Sequence, residues 1–520
     1  MQNRRYAVRL LLFLLCAASF MRSERVLAES VGILDPEEAE TWNTVWAEYS
    51  AFPIDIRYAP ISELTIFPDV DDSLAERLRV ASFDRVPESL RDYVRSDASY
   101  SANLRTRISV REPHTTASYS DAATYTRISG ALDERWSGGV LVERDAEEPR
   151  LADHTAWTLA YRRNDGALSA VGGQIGAHIG TGLIVGRSGL MWIDPASIRM
   201  QRAGIRPSLA SVESGSLTGG AIHVQKHGID VLVIIARPRW DAVLNDSGVV
   251  KTIRKDGIHI TEGQRAARDQ LRERFEAARL GFTSSFGTSV GITAAASTYN
   301  HPIMTGSPRA PERTTVKTLG IDGRIEKTAG ILGGEIVRQG DGRVAASGLV
   351  RYRIDSVELI GAGWSYEEDT FLPHGNGFSF RDDASGERAA LFGIRSRNLG
   401  AKVEAWTARY YQTYANASDP FPRSGWIENI AFDVDITSNV SLSARARHRG
   451  TMRPGTGEMK SRSEIRFTPA FSTIRATIRP RFDYIRASPS GTGSLLGLYG
   501  ATGIRNILSL IHISEPTRPY

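Results

Sequence analysis

Hydrophobic and polar residues alternate along most of this chain. From Tyr100 to Val110 the even positions read Tyr, Ala, Leu, Thr, Ile and Val. The odd positions from Ser101 to Arg111 read Ser, Asn, Arg, Arg, Ser and Arg. Successive side chains of a strand point to opposite faces, so this pattern predicts a strand with one apolar and one cationic face. It returns near the other end of the chain. Phe432, Val434 and Ile436 alternate with Asp433 and Asp435, and Val440, Leu442, Ala444 and Ala446 with Ser441, Ser443, Arg445 and Arg447. Ile474, Ala476 and Ile478 alternate with Arg475, Thr477 and Arg479.

A soluble sandwich strand alternates too, so number, length and the chemistry of the polar face have to decide. About 16 to 20 such stretches can be marked, most of them separated by Gly, Asn, Asp or Ser turns, and their polar faces carry Arg and Asp rather than only Ser and Thr. Strands of about 9–11 residues, apolar towards lipid and polar towards a lumen, build a transmembrane barrel. Closing the sheet removes the open edge that lipid cannot satisfy. The predicted fold is mainly β: a large antiparallel transmembrane β-barrel over residues 98–507, preceded by a small α-helical domain at 29–97. Trp136, Trp157, Tyr161, Trp364, Tyr366, Trp406, Tyr410 and Tyr411 are expected in aromatic girdles at the two lipid interfaces.

Five stretches depart from the alternation. Basic Arg4, Arg5 and Arg9 precede an apolar core from Leu10 to Ala18, and Val26-Leu27-Ala28 offers small residues for cleavage, so residues 1–28 read as an export signal. Pro36–Tyr49 predicts a helix with Asp35 as its N-cap. Ile54–Leu78 comes next, with a short helix starting at Pro60 and Ser62 and a second capped by Asp72 or Ser73 on either side of a tight link from Pro68 to Asp71, and Asp84–Val94 repeats part of the plan. Thr261–Arg279 predicts a further helix, with Thr261 as cap and Ala267, Leu271, Phe275 and Ala278 on one stripe. It is too charged to face lipid, so a loop or a plug-like place in the lumen is expected. Asn300-His301-Pro302 and Asp194-Pro195 read as turns.

Val171–Gly186 holds Gly172, Gly173, Gly176, Gly180, Gly182 and Gly186. A dinucleotide loop would need a buried strand before it, a helix after it and an acid about 20 residues on. The preceding Leu168–Val171 is short, and Gly186 and Gly189 interrupt the segment where the helix would stand. Among alternating strands the stretch reads as a bent or inward-folded segment near the lumen, where glycine lets backbone pack closely.

Charge changes the picture once it is divided. The formal +5 of the chain falls close to neutral when residues 1–28 are set aside, which removes any general argument for nucleic-acid binding. Residues 29–97 hold 16 acids against 6 arginines, and the rest of the chain is correspondingly basic. The single cysteine, Cys16, lies in the export signal, so no disulfide or thiolate site is expected beyond it.

Residues 54–94 resemble, in layout, the helix-hairpin-helix modules of competence-type DNA-binding proteins. In that family a Pro-Gly-Ile-Gly hairpin brings glycine amides to a phosphate. Here the hairpin is Pro68-Asp69-Val70-Asp71, whose carboxylates repel phosphate, so a structural module is favoured over a DNA reader. An ordered set of motifs lies further along. Arg127 precedes Glu143-Arg144-Asp145-Ala146-Glu147-Glu148, Gly180-Thr181-Gly182-Leu183 and Arg206-Pro207 with Ser211 and Glu213. Gly219-Gly220-Ala221 and Gly257-Ile258-His259-Ile260-Thr261 complete it. From about Ile54 to Tyr299 the chain resembles the exported Gram-negative outer-membrane β-barrel family with an N-terminal helix-hairpin-helix segment. Two positions depart from that pattern: Thr181 stands where Gly-Gln-Gly-Leu is usual, and Glu147 where glycine is expected. The resemblance implies a fold and a membrane, with no reaction attached.

No catalytic, cofactor or metal residues are assigned. The ten histidines show no metal-ligand spacing, and no nucleophile elbow is present. The candidate functional residues are cations on the predicted inner faces: Arg105, Arg107, Arg351, Arg353, Arg445, Arg447, Arg475 and Arg479. They point to a channel or transporter for polar or anionic solutes in the outer membrane. A DNA-uptake protein and a barrel hydrolase are the alternatives. Expected partners are outer-membrane lipid and a periplasmic protein meeting residues 29–97; nucleic acid is not expected. Leu508–Tyr520 reads as translated sequencing adapter, which would leave the barrel open or incomplete.

Overall fold

The computed structural model describes residues 49–502 apart from short stretches, the longest being 57–63, 79–85, 111–121, 187–197, 305–311 and 414–421. The export signal, Cys16, most of the Pro36–Tyr49 helix, Asp194-Pro195, Arg475 and the adapter-like tail lie outside the described residues, as does the Pro68–Asp71 hairpin except for Val70.

Between residues 49 and 95 the described positions show short helical turns and one parallel pairing of β1 (Ile54–Asp55) with β2 (Val94–Arg95). Tyr49, Ile56, Leu64, Phe67, Leu78 and Val94 are among the residues of one buried apolar cluster there.

The barrel begins with β3 (Ser101–Val110), β4 (Ala122–Ala131), β5 (Trp136–Arg144), β6 (His154–Arg162) and β7 (Leu168–His178). A short β8 (Gly204–Pro207) precedes β9 (Thr218–Lys226) and β10 (Ile229–Ala236). Next come β11 (Arg239–Leu244), β12 (Val250–Arg254) and the helix α1 (Glu262–Ala267). A regular meander continues through β13 (Leu271–Thr283), β14 (Thr288–Ile303), β15 (Arg313–Lys327), β16 (Gly330–Gln339), β17 (Val344–Ile354) and β18 (Val357–Tyr366). It ends with β19 (Glu387–Asn398), β20 (Ala401–Gln412), β21 (Arg423–Thr437), β22 (Val440–Arg453), β23 (Glu458–Ser472), β24 (Ala476–Ser488) and β25 (Gly491–Thr502).

Among the described residues twenty of these strands form the ring, within the range expected, and β25 meets β3 to close it. β8 pairs with the end of β7, and the β11–β12 hairpin is inserted between β10 and β13, which pair directly. At one end of the ring the links are tight, such as His227-Gly228 and Asp355-Ser356. At the other end lie the long connections between β7 and β9, β10 and β13, and β18 and β19.

Sidedness is carried by registered rows. Val224 pairs with Val231, Val231 with Leu280, Leu280 with Ile292, Ile292 with Ile321, and Ile321 with Ile336. All six side chains are exposed, Leu280 and Ile336 at 60%. One residue along each strand the row reverses: Arg279, Thr293, Asp322 and Glu335 are buried. The barrel is apolar outside and polar or packed inside.

Three expectations need correction. Thr261–Arg279 is not one helix. Thr261 caps α1 in a capping box with Gln264, but the helix stops at Ala267, Asp269 turns at φ 54°, and β13 begins at Leu271. Leu271 and Phe275 fit both periods, and pairing with β10 on one side and β14 on the other decides for the strand. Asn300-His301-Pro302 is not a turn but lies inside β14, at an irregularity in its register with β15 that accommodates the proline. The girdle expectation divides. Trp136, Trp157 and Tyr411 are exposed outward, whereas Trp364, Tyr366 and Trp406 are buried in the lumen core, because their positions share parity with the inward face.

Candidate functional site

The glycine-rich stretch leaves the wall at Gly173. β7 pairs with β9 from Leu168 to Gln174, but from Ile175 it pairs with β8 instead. Gly173 has φ +92°, and a Cβ there would stand 2.2 Å from the Trp157 carbonyl oxygen, so only glycine lets the backbone bend away at this point. Beyond it the chain folds into the lumen and reaches the wall at β16. The Thr181 and Leu183 amides donate to Glu335 Oε2 at 2.9 and 3.0 Å, and the Thr181 hydroxyl donates to the same oxygen at 3.0 Å. Gly180, at φ +60°, passes so close that a Cβ would lie 2.6 Å from Glu335 Oε2. Two amides two residues apart and a hydroxyl thus converge on one carboxylate oxygen, a nest-like anion site filled by the protein's own glutamate.

A second inward loop comes after β18. The Gly186 amide donates to the His374 carbonyl and the Asn376 amide to the Gly182 carbonyl, joining the two loops. Two more wall glutamates hold this arrangement. Glu273 on β13 accepts from Trp240 Nε1 at 2.7 Å, from His374 Nε2 at 3.0 Å and from the Tyr299 hydroxyl. Glu387 on β19 accepts from Trp364 Nε1 at 2.7 Å, the Phe380 amide at 2.9 Å, Ser379 and Gln412. Around them Ile179, Leu183, Val185, Val337, Leu349, Ile360 and Phe378 form an apolar core inside the barrel. One side of the lumen is therefore filled.

The opposite sector is basic. On β22, Arg445 pairs across with Arg466 of β23, Arg447 with Glu464 and Arg449 with Arg462. β24 adds Arg479 and Arg481, with Asp483 accepting from Arg466 Nε at 2.8 Å and Arg481 Nε at 2.7 Å. Beyond β25, β3 brings Arg105 and Arg107 against the Tyr125 ring, at 6.0 and 5.5 Å, beside the buried Arg127 of β4.

Five of the eight candidate cations thus gather in this sector: Arg105, Arg107, Arg445, Arg447 and Arg479. Arg445 is further engaged by Asn429 at 2.9 Å. Arg351 and Arg353 lie elsewhere, on β17. Arg351 is bidentate to Glu358 and donates to the Ile198 carbonyl, tying the wall to the chain returning from the inward loop. Arg353 is half-buried near the tight-turn end. Arg475 lies outside the described residues.

At the end with the long connections, residues far apart in sequence meet in a buried polar cluster. His259 Nε2 donates to Asp241 Oδ2 at 2.8 Å, and its Nδ1 faces Asp153 Oδ2 at 3.4 Å, Glu213 Oε2 at 3.6 Å and Glu148 Oε1 at 3.7 Å. Arg268 is ion-paired with Asp153. Burial, then the Asp153 and Glu148 charges, pushes Glu213 up to about 9, and burial together with the Asp153 carboxyl pushes Glu148 up to about 8. Burial opposes the charge of His259, yet its bonds to Asp153 and Asp241 outweigh that and raise it to about 10. Glu147 beside this cluster has φ 67°, a left-handed conformation that explains why glycine suits the position.

No family model matches the chain, and no curated protein matches it in sequence. Solved structures do. It is similar to OccK10 (OpdN) of Pseudomonas aeruginosa, at 12% identity and a TM-score of 0.35, over 72% of this chain and 99% of that one. A BenF-like porin from Pseudomonas fluorescens Pf-5 gives 10% identity and a TM-score of 0.31, over 78% and 99%. OccAB2 of Acinetobacter baumannii gives 10% and 0.30, over 73% and 92%.

Sequence reading missed Glu273, Glu335 and Glu387, and it missed the cluster. Alternation places each glutamate on an inward face, but its donors come from other strands and from loops up to 154 residues away. For the cluster a signal was present. Glu148, Glu213 and His259 are all members of the ordered motif set, and histidine spacing alone could not show that the fold unites them.

Proposed function

We propose that this chain is a non-enzymatic outer-membrane β-barrel that passes polar solutes, with a bias towards anions, through a lumen narrowed by its two inward loops. The observation that carries the reading is the opposition of faces. The row from Val224 to Ile336 is exposed and apolar on the outside of a closed ring, where water would drive association and lipid satisfies it. The inner face of the same ring carries the basic sector of β22–β24 and β3–β4. Arg105, Arg107, Arg445, Arg447 and Arg479 attract anions there, with Glu464 and Asp483 among the opposing charges on the same wall.

Residues 29–97 are read as an acidic, helix-hairpin-helix-like module seated on the barrel rather than as a DNA contact. Phe52 packs against Tyr125, Leu141, Ala156 and Leu209, and the Arg206 guanidinium lies 4.3 Å from the centre of the Tyr49 ring. These contacts support a module that meets the inner wall.

Membrane fractionation with heat-modifiable gel migration, then planar-bilayer recording, tests the proposal. The expected result is a membrane-bound product that migrates faster before boiling and conducts with anion preference. A soluble, heat-insensitive product overturns the membrane reading, and cation preference or no conductance overturns the channel reading.

A further inference from the structure

We propose that the cluster at the long-connection end is a divalent transition-metal site, with Glu148, Asp153 and His259 as ligands and Zn2+ as the ion it fits best. The three residues offer ligand atoms that all lie within 4.8 Å of one another, and all three are buried. Three observations carry this beyond a cluster of acids.

The first is the direction of the imidazole. Asp241 takes the Nε2–H at 2.8 Å, which leaves Nδ1 as the nitrogen facing the carboxylates. A carboxylate holding the far nitrogen of a histidine is the usual outer partner of a metal-bound imidazole. The second is distance. In a tetrahedral centre with bonds of about 2.0–2.2 Å, neighbouring ligand atoms stand about 3.3–3.6 Å apart. Nδ1 lies 3.4 Å from Asp153 Oδ2 and 3.6 Å from Glu213 Oε2, with Glu148 Oε1 at 3.7 Å. Glu213 borders the site on the Nδ1 side, beside the three residues whose ligand atoms all converge. The third is an unanswered atom. The Glu148 side chain is fully buried; Oε1 accepts the His259 amide at 2.6 Å, but no hydrogen-bond donor reaches Oε2. A carboxylate oxygen without a donor in such a place is costly unless a proton shared with Asp153 or a cation meets it.

Charge agrees. Four carboxylates surround one guanidinium and one imidazole, so once they are ionised a divalent ion can take the place of the protons that the cluster otherwise holds. One imidazole among carboxylates suits Zn2+ or Mn2+ better than Ca2+, whose sites are built from oxygen. The ligands come from the β5–β6 connection and from the chain between β12 and β13, with Glu213 from the chain before β9. The ion would staple two separate connections at one end of the barrel, with Glu213 of a third beside it.

The test uses the full chain folded in detergent micelles, stripped with chelator and dialysed, then titrated separately with Zn2+, Mn2+ and Ca2+ against a competing chromophoric chelator. One equivalent of Zn2+ is expected to bind, more tightly than Ca2+. Co2+ in its place should show the strong visible absorption of a tetrahedral site. Glu148→Gln keeps the acceptor for the His259 amide and should abolish saturable binding, as should His259→Gln. Asp241→Asn, which alters only the orienting partner, should weaken binding by roughly 10–100-fold. Heat-modifiable migration establishes that each variant has folded, and Glu148→Gln and Asp241→Asn provide readings should His259→Gln fail to fold. Absence of saturable Zn2+ binding in the folded wild type, or equal binding by wild type and Glu148→Gln, overturns the proposal and leaves a network held by protons alone.

Discussion

Two sectors of the same wall share one strand pattern and end in opposite states. From β13 to β19 the inward face is covered: loops reach it, apolar residues fill it, and Glu273, Glu335 and Glu387 each accept several donors, at least one of them from those loops. From β22 through β24 to β3 and β4 the inward face is arginine-rich and its charges answer one another along the wall, as Arg466 and Arg481 do with Asp483. Alternation decides only which residues face inward. Whether an inward charge anchors a loop or faces the lumen depends on connections arriving from elsewhere in the chain. The two kinds of charge should therefore respond to mutation in different ways.

The largest effect is expected at Glu335. Removing its carboxylate in Glu335→Ala leaves the Thr181 and Leu183 amides without their acceptor, which costs about 2–4 kcal/mol of loop docking. The undocked population then rises more than tenfold, since about 1.4 kcal/mol is a factor of ten. Single-channel recording should show larger or more frequent openings, while heat-modifiable migration stays as in the wild type because the ring is untouched. Glu335→Gln keeps an acceptor and should recover most of the closed behaviour. Unchanged conductance in Glu335→Ala would mean that the inward loop does not limit passage.

A smaller, purely electrostatic effect is expected in the basic sector. The Arg445→Gln/Arg447→Gln double variant removes two charges from β22 and leaves the loops alone. The anion-to-cation permeability ratio, read from the reversal potential, should fall by roughly two- to threefold at low salt and by less near 1 M, where the screening length is about 3 Å. A ratio that does not move would locate selectivity elsewhere.

Legibility in the sequence divides along the same line. The strands Tyr100–Val110 and Phe432–Ile436 were legible because period two needs no knowledge of partners. The inward fold of the glycine stretch was legible too, since glycines at that density serve bends and close backbone approach. Thr261–Arg279 was misread because Leu271 and Phe275 satisfy both periods. The strand buries Glu273 and Arg279, which Trp240, Tyr299 and His374 in one case, and Asp322 and Asp230 in the other, help make tolerable. None of those partners is local. The burial of Trp364 and Trp406 escaped for a related reason: an aromatic residue on a barrel strand suits either an interface or a core, and only the loop packed against it decides.

Arg351 gives the finest contrast, because the sequence places it with Arg445 as an inward cation of an alternating strand. In the fold it is bidentate to Glu358 and donates to the Ile198 carbonyl at 3.3 Å, so its charge is already matched and its work is to hold chain against the wall. Arg351→Gln should therefore leave the permeability ratio within error of the wild type. The lost bond to Ile198 is worth about 1 kcal/mol or somewhat more, as expected for a charged donor. That is enough to loosen the returning segment without releasing the Glu335 contact. Limited proteolysis between β7 and β8 should speed up several-fold at unchanged reversal potential. A shift in selectivity equal to that of the β22 double variant would place Arg351 in the permeation path and erase the distinction between the two sectors.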